Sequence, residues 1–295
     1  MRWQGGRRSS NVEDRRGSGI GRPLAVGGGV GSIVVALLVM LLGGDPSVIT
    51  TNSGGGLGQQ GGSGTGGSGV PDDPRHAELK DFVSVILADT EDTWPGLLEP
   101  HGVNYVDPRL VLFTGAVQSA CGLQESAVGP FYCPPDQRVY LDLDFFDELD
   151  RRFGAPGDFA QAYVVAHEVG HHVQNLMGIS EQVQAARSRA SPEQANVLSV
   201  LQELQADCFA GIWAHHAQRE RQVLEEGDVE EGLGAASAIG DDTLQRRTRG
   251  YVVPESFTHG SSEQRVAWFK KGLSQGTLEA CDTFSDASTP SRRRR

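Results

Sequence analysis

The sequence predicts an α+β fold: a mainly helical domain with a small β-sheet, preceded by one transmembrane helix. Three observations carry that prediction. Small and apolar residues recur at helical spacing through residues 158–177 and again after Ser191. Arg109–Phe113 and Arg138–Leu143 are short and β-rich, so they read as two strands. Leu24–Leu42 is an uncharged run of 19 residues. As a helix it would span about 28 Å, close to the roughly 30 Å of a bilayer's hydrocarbon core.

The formal charge of -12 hides an asymmetry. Residues 1–22 carry six Arg, and Arg292–Arg295 add four, so the other 269 residues hold 16 basic and 36 acidic groups. An acidic body leaves no basic patch to neutralise phosphates, which argues against a nucleic-acid partner. The Arg cluster ahead of the apolar run places the N-terminus in the cytoplasm and the rest outside. Gly43-Gly44-Asp45-Pro46 lacks a small-x-small cleavage pattern, so the run reads as an uncleaved anchor. Residues 51–70 are almost wholly Gly, Ser, Thr, Asn and Gln, the composition of a flexible tether. The expected division is a basic cytoplasmic segment at 1–23, a transmembrane helix at 24–44, a linker at 45–73, a folded domain at 74–285 and a basic tail at 286–295.

Within that domain, apolar residues from Leu79 to Leu98 keep a helical face, and a third short strand could form around Val103–Val106. The acidic cluster Asp142, Asp144, Asp147, Glu148 and Asp150 lacks the glycine-centred spacing of a calcium loop and reads as the start of a helix. Ser191-Pro192-Glu193-Gln194 is a helix opening, with Ser191 as cap and Gln194 three residues on. That helix should reach about His216. Residues 224–249 read as one or two polar helices broken near Gly240, with no chemistry of their own. All four cysteines fall in the part expected outside, where disulfides persist. Proximity favours Cys121 with Cys133, leaving Cys208 with Cys281, although four cysteines allow three connectivities.

The chemistry sits in His167-Glu168-Val169-Gly170-His171, an HExxH motif inside a helix that Asp158 would cap and Gly178 would end. At 3.6 residues per turn His167 and His171 stand one above the other and can bind one zinc ion. Glu168, one residue round, can reach a water there as general base. On the helix after Ser191, Glu203 and Asp207 are four apart and share a face. One can ligate zinc while the other hydrogen-bonds a metal-bound histidine. Ala206 and Ala210 are small, which lets the two helices approach. His259, in a loop ahead of a last helix, could stabilise an oxyanion. His172 neighbours the ligand His171 but points about 100° away, and reads as packing or as support behind the ligands. His76, His101, His215 and His216 have no ligand-like spacing.

With these residues in view, the chain resembles the bacterial neutral zinc metallopeptidases that carry a single N-terminal membrane anchor. The likeness covers Met1-Arg2-Trp3-Gln4-Gly5, Asn11, Glu13-Asp14-Arg15-Arg16 and most of residues 75–285, and is most specific at 139–146, 153–160 and 167–176. More distantly the chain is similar to gluzincin peptidases that process prenylated proteins or control membrane-protein quality. Those combine HExxH, an ExxxD on a later helix, and a Thr-His loop followed by an Arg, matched here by Glu203 and Asp207 and by Thr258, His259 and Arg265. The resemblance implies a zincin-like domain with Glu203 as third zinc ligand, Asp207 orienting a zinc histidine with Arg265 nearby, and His259 binding the tetrahedral intermediate. Gly260 departs from the Pro usual in those relatives, and a single anchor replaces their several spans. The expectation is a membrane-anchored, extracytoplasmic zinc metallopeptidase acting on peptide or protein substrates through Glu168. A non-catalytic, zinc-stabilised binding module would keep the ligands but has no need of Glu168.

Overall fold

The N-terminal segment and the domain share one sheet. A computed structural model describes residues 1–17 and 73–288. In it β1 (Val12–Asp14) pairs in parallel with β2 (Arg109–Phe113), Val12 opposite Leu110. After the β3–β4 hairpin (Ala116–Ser119, Gly122–Glu125), β5 (Phe131–Cys133) runs antiparallel to β6 (Arg138–Asp142), giving the order β1-β2-β6-β5. The two strands expected from sequence are β2 and β6, which pair in parallel. Residues 103–106 are not a strand; the Val106 carbonyl instead accepts from His172 Nε2 at 2.6 Å.

The segment expected as a separate cytoplasmic stretch at 1–23 is thus, over residues 1–17, part of the domain. Arg8 pairs with Asp81, Arg7 with Asp92, and Ser9 and Asn11 both donate to Glu91, all on helix α1 (Pro74–Leu98). The boundary was illegible because its partners lie about eighty residues away. The apolar run at 24–44, the linker and the tail from 289 lie outside the described residues. Among the described residues no helix is long and apolar enough to cross a membrane.

After α2 (Asp144–Arg151) comes the HExxH helix α3 (Asp158–Leu176), buried on almost every side. Asp158 is its first residue rather than its cap, because its carboxylate is taken by the Met1 ammonium group at 2.8 Å. The short α4 (Ile179–Arg187) leads to α5 (Pro192–His216), opened by the expected Ser191–Gln194 capping box. The polar stretch divides at Gly240 into α6 (Asp228–Ala238) and α7 (Asp241–Arg249). Ser261 caps α8 (Ser262–Gln275), and a short α9 (Thr283–Ser288) follows.

Close helix contacts set the position of the site. A side chain on Gly170, inside the HExxH motif, would meet the Ala206 carbonyl at 3.0 Å, so glycine there brings α3 against α5. One on Gly272 of α8 would run into the Cys208 carbonyl, so α8 seats directly on α5. Around these contacts Trp94, Phe159, Phe209, Trp213 and Phe269 are buried, with Phe159 stacked on Trp213 at 5.9 Å. Burial of each such side chain contributes about 1.5–3 kcal/mol. The disulfides Cys121–Cys133 and Cys208–Cys281 are both formed.

Candidate active site

Helical periodicity puts His167 and His171 on one face of α3, their rings 4.8 Å apart. Across the glycine contact, Glu203 of α5 reaches both: Oε2 lies 3.3 Å from His167 Nε2 and Oε1 3.5 Å from His171 Nε2. Ligand atoms of the three residues all fall within 4.8 Å of one another. Two neutral imidazoles and a carboxylate are the donor set of a catalytic zinc site, which keeps a fourth position open. The residues present therefore fit zinc. A second acidic group, Asp158, Asp228 and Glu231, is as tight, but the Met1 ammonium group lies against Asp158 and Asp228 and gives that cluster its partner.

Behind the ligands, Asp207 Oδ1 lies 2.9 Å from His167 Nδ1, leaving Nε2 to face Glu203. Asp207 has no exposure and is held by Arg265, whose Nε and Nη2 donate to it at 2.8 and 2.9 Å. The Tyr163 hydroxyl donates to the same carboxylate and accepts from Arg265 at 3.3 Å. Burial pushes the Asp207 carboxyl up, but Arg265 and His167 outweigh it and hold it below the usual range. For His167 burial disfavours the charge, yet Asp207 and Glu203 raise the group to about 10 when no metal competes. His171 Nδ1 faces Gln174 Oε1 at 2.8 Å.

Glu168 is 8 % exposed and lines the same cleft as the three ligands. Burial raises its carboxyl above the ordinary range, the direction a proton-accepting base needs near neutral pH. His259, 43 % exposed at its side chain, stands across the cleft. Its loop is fastened by Asp241 at the start of α7, whose Oδ2 accepts the amides of Thr258, His259 and Gly260 at 2.8, 2.6 and 3.0 Å. Burial works against the His259 charge, but Asp241 and Glu203 outweigh it and raise its pKa.

The cleft holds about 410 Å³ and is walled by apolar side chains, among them Val128, Phe131, Phe145, Phe153 and Leu244. A larger cleft of about 820 Å³ beneath residues 1–7 contains none of the candidate catalytic groups.

A family model for putative neutral zinc metallopeptidases matches residues 1–284. The chain belongs to that family. This neutral zinc metallopeptidase homologue is 48 % identical over 291 residues to an uncharacterized protein, YpfJ, of Escherichia coli K12, covering 96 % of this chain and 99 % of the relative. It is 42 % identical over 221 residues to an uncharacterized protein, Mb2605, of Mycobacterium bovis, covering 72 % and 74 % of the two chains. No solved structure matches.

For this metallopeptidase homologue, the residues named from sequence come together: His167, Glu168, His171, Glu203, Asp207, His259 and Arg265 all lie at the cleft or directly behind it. Tyr163, Gln174 and Asp241 were missed. Tyr163 is four residues before His167 and Gln174 three after His171, so helical spacing offered a signal for both. Asp241 offered none, lying 18 residues from His259 in a segment that reads as plain polar helix.

Proposed function

We propose that the chain hydrolyses peptide bonds with a single zinc ion held by His167, His171 and Glu203. The observation that carries this reading is the convergence of these donors beside Glu168 in one cleft. Zinc bound there supplies Lewis acidity toward water and the scissile carbonyl. Glu168, desolvated and raised, takes the proton from the attacking water and returns it to the leaving amine. His259 donates to the oxygen on which negative charge develops, a role its link to Asp241 supports. Asp207 keeps His167 in the tautomer that presents Nε2, and Arg265 and Tyr163 keep Asp207 in place.

Apolar walls on both sides of the cleft support substrates with a bulky apolar side chain beside the scissile bond. The edge strand β5 packs beside α3 and offers backbone groups with which an extended peptide could pair.

We also propose that the domain works in an oxidising compartment with residues 1–17 on the same side, a reading supported by paired cysteines and by β1 in the domain's own sheet. Cleavage of an unfolded protein by purified, zinc-loaded wild type and by Glu168→Gln tests the catalytic reading. Loss of cleavage with zinc retained in the variant is expected; equal cleavage would refute it.

A further inference from the structure

The two zinc-facing histidines are oriented by different means. His167 leans on a charged carboxylate, whereas His171 leans on a chain of neutral carboxamides. His171 Nδ1 lies 2.8 Å from Gln174 Oε1. Gln174 Nε2 donates to the Gln202 carbonyl at 2.7 Å and to Gln205 Oε1 at 3.0 Å. Gln205 Nε2 in turn donates to the Cys281 carbonyl at 3.0 Å. Gln174 has no exposure and Gln205 has 5 %, so neither amide can exchange these partners for water without cost.

The order of donors and acceptors in this chain runs one way. A backbone carbonyl can only accept, so the NH₂ of Gln205 must face Cys281 and its oxygen must face Gln174. Gln174 then meets two acceptors, the Gln205 oxygen and the Gln202 carbonyl, and must turn its own NH₂ toward them. That leaves its oxygen for His171, which accepts only from a protonated Nδ1. Nε2, the atom facing Glu203, is left with a free lone pair. The terminal carbonyl belongs to a residue tied by disulfide to Cys208, which sits on α5 together with Glu203 and Gln205.

We infer that Gln174 and Gln205 form a carboxamide relay, anchored on the disulfide-held Cys281 carbonyl, that fixes the metal-binding tautomer of His171. Both are positioning residues: neither touches substrate or metal. The inference rests on the zinc reading of the site, and it adds that metal affinity is set partly by a backbone carbonyl 110 residues along the chain from His171. Flipping either amide would put oxygen against oxygen, so the relay works only when intact.

Zinc affinity, read by competition with a chromophoric chelator on the full chain, tests this without relying on turnover. Gln174→Leu should weaken zinc binding about 10–100-fold, and Gln205→Leu about three- to tenfold. The double variant should bind no more weakly than Gln174→Leu, because the two act as one chain. Melting of the metal-free variants establishes that each is folded. At alkaline pH, where metal-free His171 is neutral, its imidazole ¹⁵N shifts separate positioning from packing: the relay predicts the Nδ1–H tautomer in wild type and a mixture of both tautomers in Gln174→Leu. An unchanged His171 tautomer in Gln174→Leu, or multiplicative losses in the double variant, would overturn the relay. Wild type that binds no zinc would overturn the site assignment itself, whereas zinc-binding wild type with unaffected variants overturns the relay alone.

Discussion

Asp241 and His259 meet directly behind the cleft: the Asp241 carboxylate accepts the His259 amide at 2.6 Å and lies 3.4 Å from its imidazole Nδ1. That pairing raises the His259 pKa against the opposing effect of burial. A histidine raised in the folded state adds stability that is fully present below its unfolded pKa of about 6.5 and is lost as pH rises through the folded value. The same ionisation should appear as the alkaline limb of kcat/KM. Asp241→Asn is expected to move that limb to lower pH, and His259→Ala to lower kcat about 10²–10³-fold. An alkaline limb unchanged in Asp241→Asn would contradict the assignment.

Arg265 is 2 % exposed and is bound to a carboxylate with no exposure. Removing Arg265 strips the buried Asp207 carboxylate of its guanidinium and leaves it only the Tyr163 hydroxyl and His167 Nδ1. Arg265→Leu should cost about 3–5 kcal/mol in urea unfolding, more than most single substitutions. Arg265→Leu combined with Asp207→Leu should recover part of that loss, since the buried carboxylate that lost its guanidinium is then gone as well. A loss under about 1 kcal/mol in the single variant would argue against the pair as described.

The helices and the ligand set were legible because their signals are local. Ser191 and Gln194 announce a capping box, and HExxH carries its own geometry in a five-residue spacing. What was not legible depends on partners far along the chain. Asp158 looked like a helix cap, yet the Met1 ammonium group occupies its carboxylate from 157 residues away. The basic N-terminal segment reads as separate from the domain because the arginines within residues 1–17 have no local acidic partners apart from Glu13 and Asp14. In the fold Arg7 and Arg8 find Asp92 and Asp81, and β1 finds β2. Asp241 carries no local signal for the same reason, since its partner His259 lies 18 residues away.

The position of residues 1–17 can be read directly in cells. Ser10→Cys and Glu226→Cys place single free thiols on exposed residues of the N-terminal segment and of the domain. A membrane-impermeant thiol reagent should label both or neither. Labelling of one alone would show that the two parts lie on opposite sides of a membrane.

The disulfide Cys121–Cys133 closes a loop that includes Val128, Pro130 and Phe131 of the cleft wall. Replacing both cysteines by serine should lower stability by about 3 kcal/mol, the chain entropy of a loop of that length. Because the loop forms one wall, KM should rise more than kcat falls. Unchanged stability and kinetics would show that the bridge does not support the wall.

Metal analysis of the purified full chain tests the central claim most directly. Wild type and Glu168→Gln should each retain one zinc per chain and Glu203→Ala should lose it, while only wild type cleaves an unfolded protein. A folded wild-type chain that binds no zinc, or a Glu168→Gln protein that cleaves as well as wild type, would contradict the account.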